Sequence, residues 1–175
     1  ISIFIFTGSV ILPIKAVLLN ILSLSATLGA LTWVFSDGHL KWLVGDFTVT
    51  GTLDTGTTIL VAVVVFGLSM DYELFLLSRI KEEHFAGHNN VESVAVGLQR
   101  SARIITAAAV LLAAVFASFM TSGVTAIKMM GFGIAFAILL DATLIRAFLV
   151  PALMRLFGNL NWWAPKFLKR FTISH

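Results

Sequence analysis

Residues 58–78 read TILVAVVVFGLSMDYELFLLS, a run in which Asp71 and Glu73 carry the only charges. A helix needs about 20 mostly apolar residues to cross the hydrocarbon core of a bilayer. This run therefore predicts a transmembrane helix. Its two carboxylates are candidates for function, because charge inside a bilayer is costly and is rarely kept without a role.

Other apolar runs extend this reading to the rest of the chain. We predict an all-α, polytopic transmembrane bundle of four full membrane helices and one N-terminal partial helix. The full helices are expected at about residues 16–35, 58–78, 104–120 and 126–150, and the partial helix at 1–12, ending before Pro13. Residues 1–154 then form the bundle, and residues 155–175 a cytoplasmic interfacial tail, apolar with basic ends.

The composition excludes several classes of protein. Of the 175 residues, 58% are hydrophobic and 12% are charged, against roughly 45–50% and about 25% in a typical soluble domain. A solvated enzyme domain and a disordered chain are both excluded, and the absence of cysteine excludes disulfides and thiolate metal sites. Because the sequence starts at Ile1 inside an apolar run, we expect it to be part of a longer protein.

The distribution of Lys and Arg predicts the orientation of the helices. Alternate loops hold nine basic residues on one side of the membrane and two, Lys41 and Lys128, on the other. The positive-inside rule places the richer side, and with it the C-terminus, in the cytoplasm of a multi-pass cell-membrane protein. The nine are Lys15, Arg79, Lys81, Arg100, Arg103, Arg155, Lys166, Lys169 and Arg170.

One cytoplasmic loop is expected to contain a short surface helix. Apolar residues at 91, 94, 95 and 98 follow Asn89 and Asn90, which are suitable helix N-caps. The outer segment 36–57 shows no clear period and is expected to be loop.

Asp71 and Tyr72 together suggest a proton site, since a carboxyl group beside a phenol can hold and pass a proton. We expect Asp71 inside the bundle, somewhat past the midplane toward the cytoplasm. At 100° per residue Val64, Gly67, Leu68, Asp71 and Phe75 share one face of the helix. Glu73 points nearly opposite Asp71 and is either a second relay group or a helix-packing contact.

Asp141 and Arg146 are the second candidate charge site. Their spacing of five predicts that they do not share a helical face. Gly133, Ala137 and Asp141 do share one, and such a small-residue stripe would present Asp141 to a neighbouring helix. Arg146 either pairs with an acid on another helix or extends to the cytoplasmic surface, and structural pairing is the favoured role for both residues. Arg79 either lines a proton exit or anchors its helix at the interface.

The sequence gives little support for a metal site or a hydrolytic active site. The histidines have no partners at metal-ligand spacing, and no serine has a base within reach by sequence. We therefore predict no metal site, no catalytic residue and no enzymatic activity, and no nucleic-acid partner.

The stretch from Gly67 to Arg79 resembles the Asp-Tyr helix in the C-terminal half of MMPL transporters, which belong to the RND superfamily. Further similarity lies in residues 97–108, in Leu139-Leu140-Asp141-Ala142-Thr143, in Phe148-Leu149-Val150-Pro151 and in Asn161-Trp162-Trp163-Ala164-Pro165. The resemblance covers nearly the whole chain and implies an RND-type half-bundle.

This resemblance implies export of lipids or other hydrophobic molecules driven by the proton gradient, without a cofactor. Asp71 and Tyr72 match the family's proton relay, with Gly67, Leu68 and Phe75 as the pocket around it. Arg79, Asp141 and Arg146 match charged positions that support coupling in the family, and we expect Glu73 to belong to the same charge network.

The implied partners are the lipid bilayer, a hydrophobic substrate, and an N-terminal half of the same polypeptide with a second Asp-Tyr helix and porter domains. Small-residue stripes leave homo-oligomers open. In this hypothesis Asp71 takes a proton from outside and releases it to the cytoplasm past Arg79. The alternative function is a non-transporting lipid- or sterol-sensing scaffold, which would lack the partner acid.

Overall fold

The computed structural model describes residues 9–47, 49 and 53–162, and within them the chain is a bundle of long helices. Four helical spans are long and apolar enough to cross a membrane, as predicted: Ile11–Ser36, Thr55–Phe85, Asn90–Thr121 and Thr125–Phe157. The all-α membrane fold is thus confirmed. The helices are α1 (Ile11–Leu31), α2 (Lys41–Val44), α3 (Thr55–Phe85), α4 (Asn90–Ser118), α5 (Thr125–Leu140) and α6 (Val150–Phe157).

Helix α5 occupies the centre of the bundle and contacts α1, α3 and α4. The central position follows from small residues that let neighbouring helices approach closely. A β-carbon at Gly133 would lie 3.1 Å from side-chain atoms of Leu31 and Val61, and Ala137 is almost fully buried. The predicted small-residue stripe therefore does face other helices.

A π-helical segment, Asp141–Leu149, joins α5 to α6 in one continuous span. In a π-helix each backbone N–H bonds to the carbonyl five residues earlier, and segments longer than a single turn are uncommon. Pro151 lies at the start of α6 and has no N–H to donate to the preceding turn. The π-helical segment places its two buried charged residues, Asp141 and Arg146, on the side of the span that faces the bundle.

The first membrane helix begins earlier than the sequence predicts. Ile11 and Leu12 belong to α1, and Pro13 stands in its first turn instead of ending a preceding segment. Proline is tolerated there, because N–H groups in the first turn have no partner within the helix. The rest of the expected partial helix, residues 1–8, lies outside the described residues.

The separate surface helix predicted before residue 104 is wrong. Asn89 is indeed an N-cap, in a capping box with Glu92, but α4 then runs without a break to Ser118. Its first turns pack against α3, where a β-carbon at Gly97 would lie 2.9 Å from backbone atoms of Ile80. This close crossing fixes the hairpin of α3 and α4.

The last span, Thr125–Phe157, ends later than the predicted segment 126–150 and passes the predicted start of the tail at residue 155. Helix α6 continues to Phe157 and a 3-10 turn, Gly158–Trp162, follows it. Asn161 in this turn is fully buried against the bundle. Residues 163–175 of the expected tail lie outside the described residues, and its interfacial position stays a prediction.

The outer segment expected to be loop contains the short helix α2. Lys128 at the start of α5 is buried and donates hydrogen bonds to the carbonyl oxygens of Val44, at 3.1 Å, and Asp46, at 2.9 Å. A cation at the C-terminal end of a helix satisfies carbonyls that have no helical partner. One buried lysine thus fastens the outer loop to the central span.

We expect Gly131→Ala to destabilise the bundle. A β-carbon there would lie 2.6 Å from the carbonyl oxygen of Phe116 and 2.8 Å from Cβ of Phe119. Separating α4 from α5 to relieve this overlap should cost about 1–3 kcal/mol. Gly29→Ala is the matched control, since nothing lies within 4 Å of its β-carbon. Thermal unfolding of the purified protein in detergent compares the two, and equal melting temperatures would contradict the packing argument.

Asp54 caps α3, and the cap should weaken in acid. The amide of Thr57 donates to Asp54 Oδ2 at 2.7 Å, and the Thr57 hydroxyl does the same. These bonds lower the pKa of Asp54. Their stabilisation is complete above the unfolded pKa of about 3.9 and is lost as the pH falls through the lower folded pKa. In the wild-type protein, amide hydrogen exchange in the first turn of α3, relative to its intrinsic rate, should therefore accelerate as the pH falls below about 3.9, whereas Asp54→Asn, another good N-cap, should show no such change.

Candidate functional site

Asp141 and Arg146 form a buried ion pair at the centre of the membrane bundle. Arg146 Nη2 lies 2.6 Å and Nε 2.9 Å from Asp141 Oδ2. The two residues are 6% and 3% exposed. Hydrogen-bonded pairs of this kind are strong where water is excluded, but either charge alone would be very costly there.

The prediction that these two residues do not share a face is wrong. It assumed α-helical geometry, in which positions five apart diverge. The π-helical segment begins at Asp141 and brings residues i and i+5 onto the same side of the helix. Arg146 consequently pairs with an acid on its own helix, and it neither crosses to another acid nor extends to the surface.

Ser69 connects this ion pair to α3. Its hydroxyl donates to Asp141 Oδ1 at 3.1 Å, and its carbonyl oxygen accepts from Arg146 Nη2 at 2.8 Å. Ser69 is itself buried. Both the side chain and the backbone of Ser69 in α3 therefore contact the charged groups of the π-helical segment. A change in the charge of Asp141 or Arg146 would alter these contacts directly.

Tyr72 lies over the guanidinium on the same side of α3. The centre of its ring is 4.9 Å from Arg146 Cζ, a distance at which a cation is attracted to the face of an aromatic ring. Arg146 Nη1 is buried and has no hydrogen-bond acceptor among the described residues. Of the predicted relay pair, Tyr72 therefore contacts the buried charges.

The described residues do not cover Asp71, and its expected position inside the bundle stays a prediction. Its side chain is exposed, as is Gly67 one turn earlier, while Leu68 and Phe75 are partly buried. The reason is helical geometry: Ser69, Tyr72 and Glu73 occupy the inward face, and Asp71 lies on the far side from Glu73. Of the predicted pocket residues, Gly67 lies on the exposed side of α3, whereas Leu68 lines a small cavity with Ser69, Tyr72 and Asp141.

Glu73 is the buried carboxylate of this helix, with 8% exposure. It lies within electrostatic range of Arg146 and Asp141. It also lines a small cavity with Lys15 and several apolar side chains: Leu12, Leu19, Leu77, Val150, Leu153 and Met154. Glu73 thus lies on the inward face of α3, one helical turn past Ser69.

Arg79 lies away from this site, toward the C-terminal end of α3. Its Nη1 is 2.8 Å from Glu82 Oε2, and both side chains are substantially exposed. Its guanidinium also lies over the ring of Phe75, at 5.5 Å. Among the described residues these contacts hold Arg79 at the helix surface, and its role in a proton exit stays a prediction.

Several buried polar residues were missed from the sequence, most of them on α1. Lys15, Asn20 and Ser23 are all buried, although hydropathy alone gives an unbroken membrane segment there. Asn20 Oδ1 and Ser23 Oγ are buried and find no hydrogen-bond partner in the described part of the chain. Ser69 was equally overlooked, although it precedes Tyr72 by three residues and Glu73 by four, the spacing that places it on their face.

Comparison with known proteins shows the family to which this chain belongs. The sequence pattern of the MMPL family matches residues 1–172. The chain belongs to the MMPL family.

Relatives of this MMPL chain include named exporters. It is 48% identical, over 95% of its length, to a membrane protein of Streptomyces coelicolor. It is 46% identical over 95% of its length to the trehalose monomycolate exporter MmpL3 of Mycobacterium tuberculosis. To the mycolic acid-containing lipids exporter MmpL11 of Mycolicibacterium smegmatis it is 43% identical over 93%. The matched region makes up 24%, 18% and 17% of those proteins.

We expect the MMPL chain to depend on the Asp141–Arg146 pair for stability. Arg146→Met leaves a buried carboxylate unpaired and should cost about 3–5 kcal/mol. Asp141→Asn should cost less, because the amide oxygen still accepts from the guanidinium. Chemical unfolding of the single and double variants in detergent gives the coupling energy between the two residues. A double variant as unstable as the sum of the singles would contradict direct pairing.

Proposed function

We propose that this chain is the C-terminal transmembrane part of a proton-driven exporter of lipids or hydrophobic small molecules. It supplies one Asp-Tyr half of an intramembrane proton relay. The single observation that carries the proposal is the contact of Tyr72 and Ser69 with the buried Asp141–Arg146 pair. Ionisable groups buried in a membrane bundle are rare and mark substrate, ion and proton paths in many transporters.

The exposed position of Asp71 supports a relay completed by another part of the protein. A carboxylate on the lipid-facing side of a helix would be costly, so a protein surface is the favourable neighbour. The relatives are several times longer than this chain, which leaves ample polypeptide to cover Asp71. A second Asp-Tyr helix in the N-terminal half is the partner that we propose.

Coupling within this half follows from the position of Tyr72, which is next to Asp71 in sequence and stacks on the guanidinium of Arg146. Proton uptake by Asp71 removes a negative charge near Tyr72 and so alters the field at the guanidinium. The guanidinium is held by Ser69 of α3 and Asp141 of the central span. A change in protonation can therefore favour one packing of α3 on that span over another, which is what alternating access requires.

The names of the relatives support a lipid-like cargo. Two of the relatives are named as exporters of trehalose monomycolate and of mycolic acid-containing lipids. For this chain we propose the broader class, lipids and hydrophobic small molecules, and no enzymatic step. The plasma membrane is the proposed location, with the C-terminus in the cytoplasm by the basic-residue count.

The test is Asp71→Asn in the full-length protein. Asparagine keeps the shape of the side chain but cannot exchange a proton, so proton flux across proteoliposomes with a trapped pH-sensitive dye should fall to that of protein-free vesicles. Asp37→Asn, an exposed acid of the outer loop, is the matched control and should keep the wild-type flux. Full proton flux in Asp71→Asn would overturn the proposal.

A non-transporting lipid sensor remains the second candidate, because the bundle architecture alone does not require pumping. The full-length sequence separates the two, since a pump needs a second Asp-Tyr helix and a sensor does not.

A further inference from the structure

Helix α4 has two distinct faces in the bundle. Ser101, Ile105, Ala109 and Ala113 form the buried face, which packs against neighbouring helices. The span that contains them is nevertheless the least buried of the four described membrane spans. An open groove of about 800 Å³ runs along the opposite face. Its lining includes six exposed residues: Arg103, Thr106, Ala107, Val110, Leu111 and Ala114.

The polar groups of this groove lie at one end. Beyond Arg103 and Thr106 the lining is apolar, and the small side chains of Ala107 and Ala114 leave room on either side of the larger ones between them. From Arg103 to Ala114 the helix rises about 16 Å, at about 1.5 Å per residue. This rise is roughly half of the ~30 Å hydrocarbon core of a bilayer. The groove thus combines one cationic end with an apolar length that matches a single leaflet.

The guanidinium of Arg103 has no anionic partner in the described part of the chain. No described acid lies within 4 Å of it, and the Thr106 hydroxyl makes no hydrogen bond to a described residue. An arginine can bind phosphate oxygens through two parallel N–H donors, which makes it well suited to phosphate groups. Three other arginines each have an acid partner within the chain: Arg79 with Glu82, Arg100 with Glu83, and Arg146 with Asp141.

We propose that the groove binds one anionic phospholipid of the cytoplasmic leaflet. Its phosphate contacts Arg103 and Thr106, and one acyl chain lies along α4 as far as Ala114. The count of basic residues places the Arg103 end of α4 at the cytoplasmic surface, where anionic lipids attract arginine and lysine side chains. A zwitterionic lipid fits less well, because its own cationic group offsets the attraction of the phosphate for the guanidinium.

Charge and length together favour a lipid over a protein as the occupant. A transmembrane helix from elsewhere would cross the whole hydrocarbon core and would have to supply an acid at the depth of Arg103. A phospholipid supplies both the anion and a chain that ends within one leaflet. This inference goes beyond the proposed export function and does not use the proton relay.

The test uses the full-length protein in detergent, with a phosphatidylglycerol whose acyl chain carries a photoactivatable diazirine. Irradiation followed by peptide mass spectrometry should label α4 between residues 106 and 114. Unlabelled phosphatidylglycerol should compete for this site, and phosphatidylcholine at the same concentration should not. Arg103→Gln should raise the lipid concentration for half-maximal labelling about tenfold, the size of a lost charge-assisted hydrogen bond, whereas Arg103→Lys keeps the charge and should restore most of the affinity.

Two matched controls separate a built site from general attraction to the membrane. Arg155→Gln removes another exposed arginine, on α6, and should leave the labelling of α4 unchanged. Ala107→Phe fills the groove and should reduce labelling, whereas Val115→Phe, at an exposed position of the same helix outside the groove, should not. Because all four positions are exposed, these substitutions leave the packed face of α4 intact, and if either groove variant fails to fold the other decides.

Absence of label on α4 in the wild-type protein would overturn the inference, since it is the result expected if another segment or a second copy covers this face. Equal competition by phosphatidylcholine would overturn it as well. Equal effects of Arg103→Gln and Arg155→Gln would indicate diffuse attraction instead of a site, and would also contradict it. None of these outcomes measures proton flux, so failure here leaves the proposed export function standing, and failure of the flux test leaves the lipid site standing.

Discussion

The ion pair of Asp141 and Arg146 is the interaction on which the rest of the site depends. It puts two full charges where the bundle excludes water, and their mutual contacts make this tolerable. The π-helical segment supplies the register that lets positions five apart meet. Ser69 then ties the pair to α3, so that the central span and the Asp-Tyr helix are held together by polar contacts as well as by small-residue packing.

The polar residues of α3 fall into two groups with different surroundings. Glu73, Tyr72 and Ser69 face the interior of the bundle, where the charges of Asp141 and Arg146 reach them. Asp71 faces outward from the same helix, toward a side left open by the described residues. A single helix can thereby connect a surface shared with the rest of the protein to a buried charge cluster, with Tyr72 as the residue that lies between.

Much of the fold could be predicted from the sequence, because apolar runs of bilayer length are a strong signal. The helix cap at Asn89 and the small-residue stripe of Gly133 and Ala137 could also be predicted from local sequence patterns. The π-helical register was not, since α-helical spacing was assumed for Asp141 and Arg146. Nor could hydropathy decide whether Asp71 or Glu73 points inward. The burial of Lys15 depends on Asn161, 146 positions away along the chain, and local patterns carry no information about such a contact.

The central claim is that the outward face of α3 is a protein interface that completes a proton relay. A structure of the full-length protein in a lipid nanodisc, resolved well enough to show side chains and bound lipid, tests it most directly. The account predicts that Asp71 is covered by a second acid-bearing helix of the same polypeptide. Acyl chains packed directly against Asp71, or bulk water around it outside the bilayer, would contradict it.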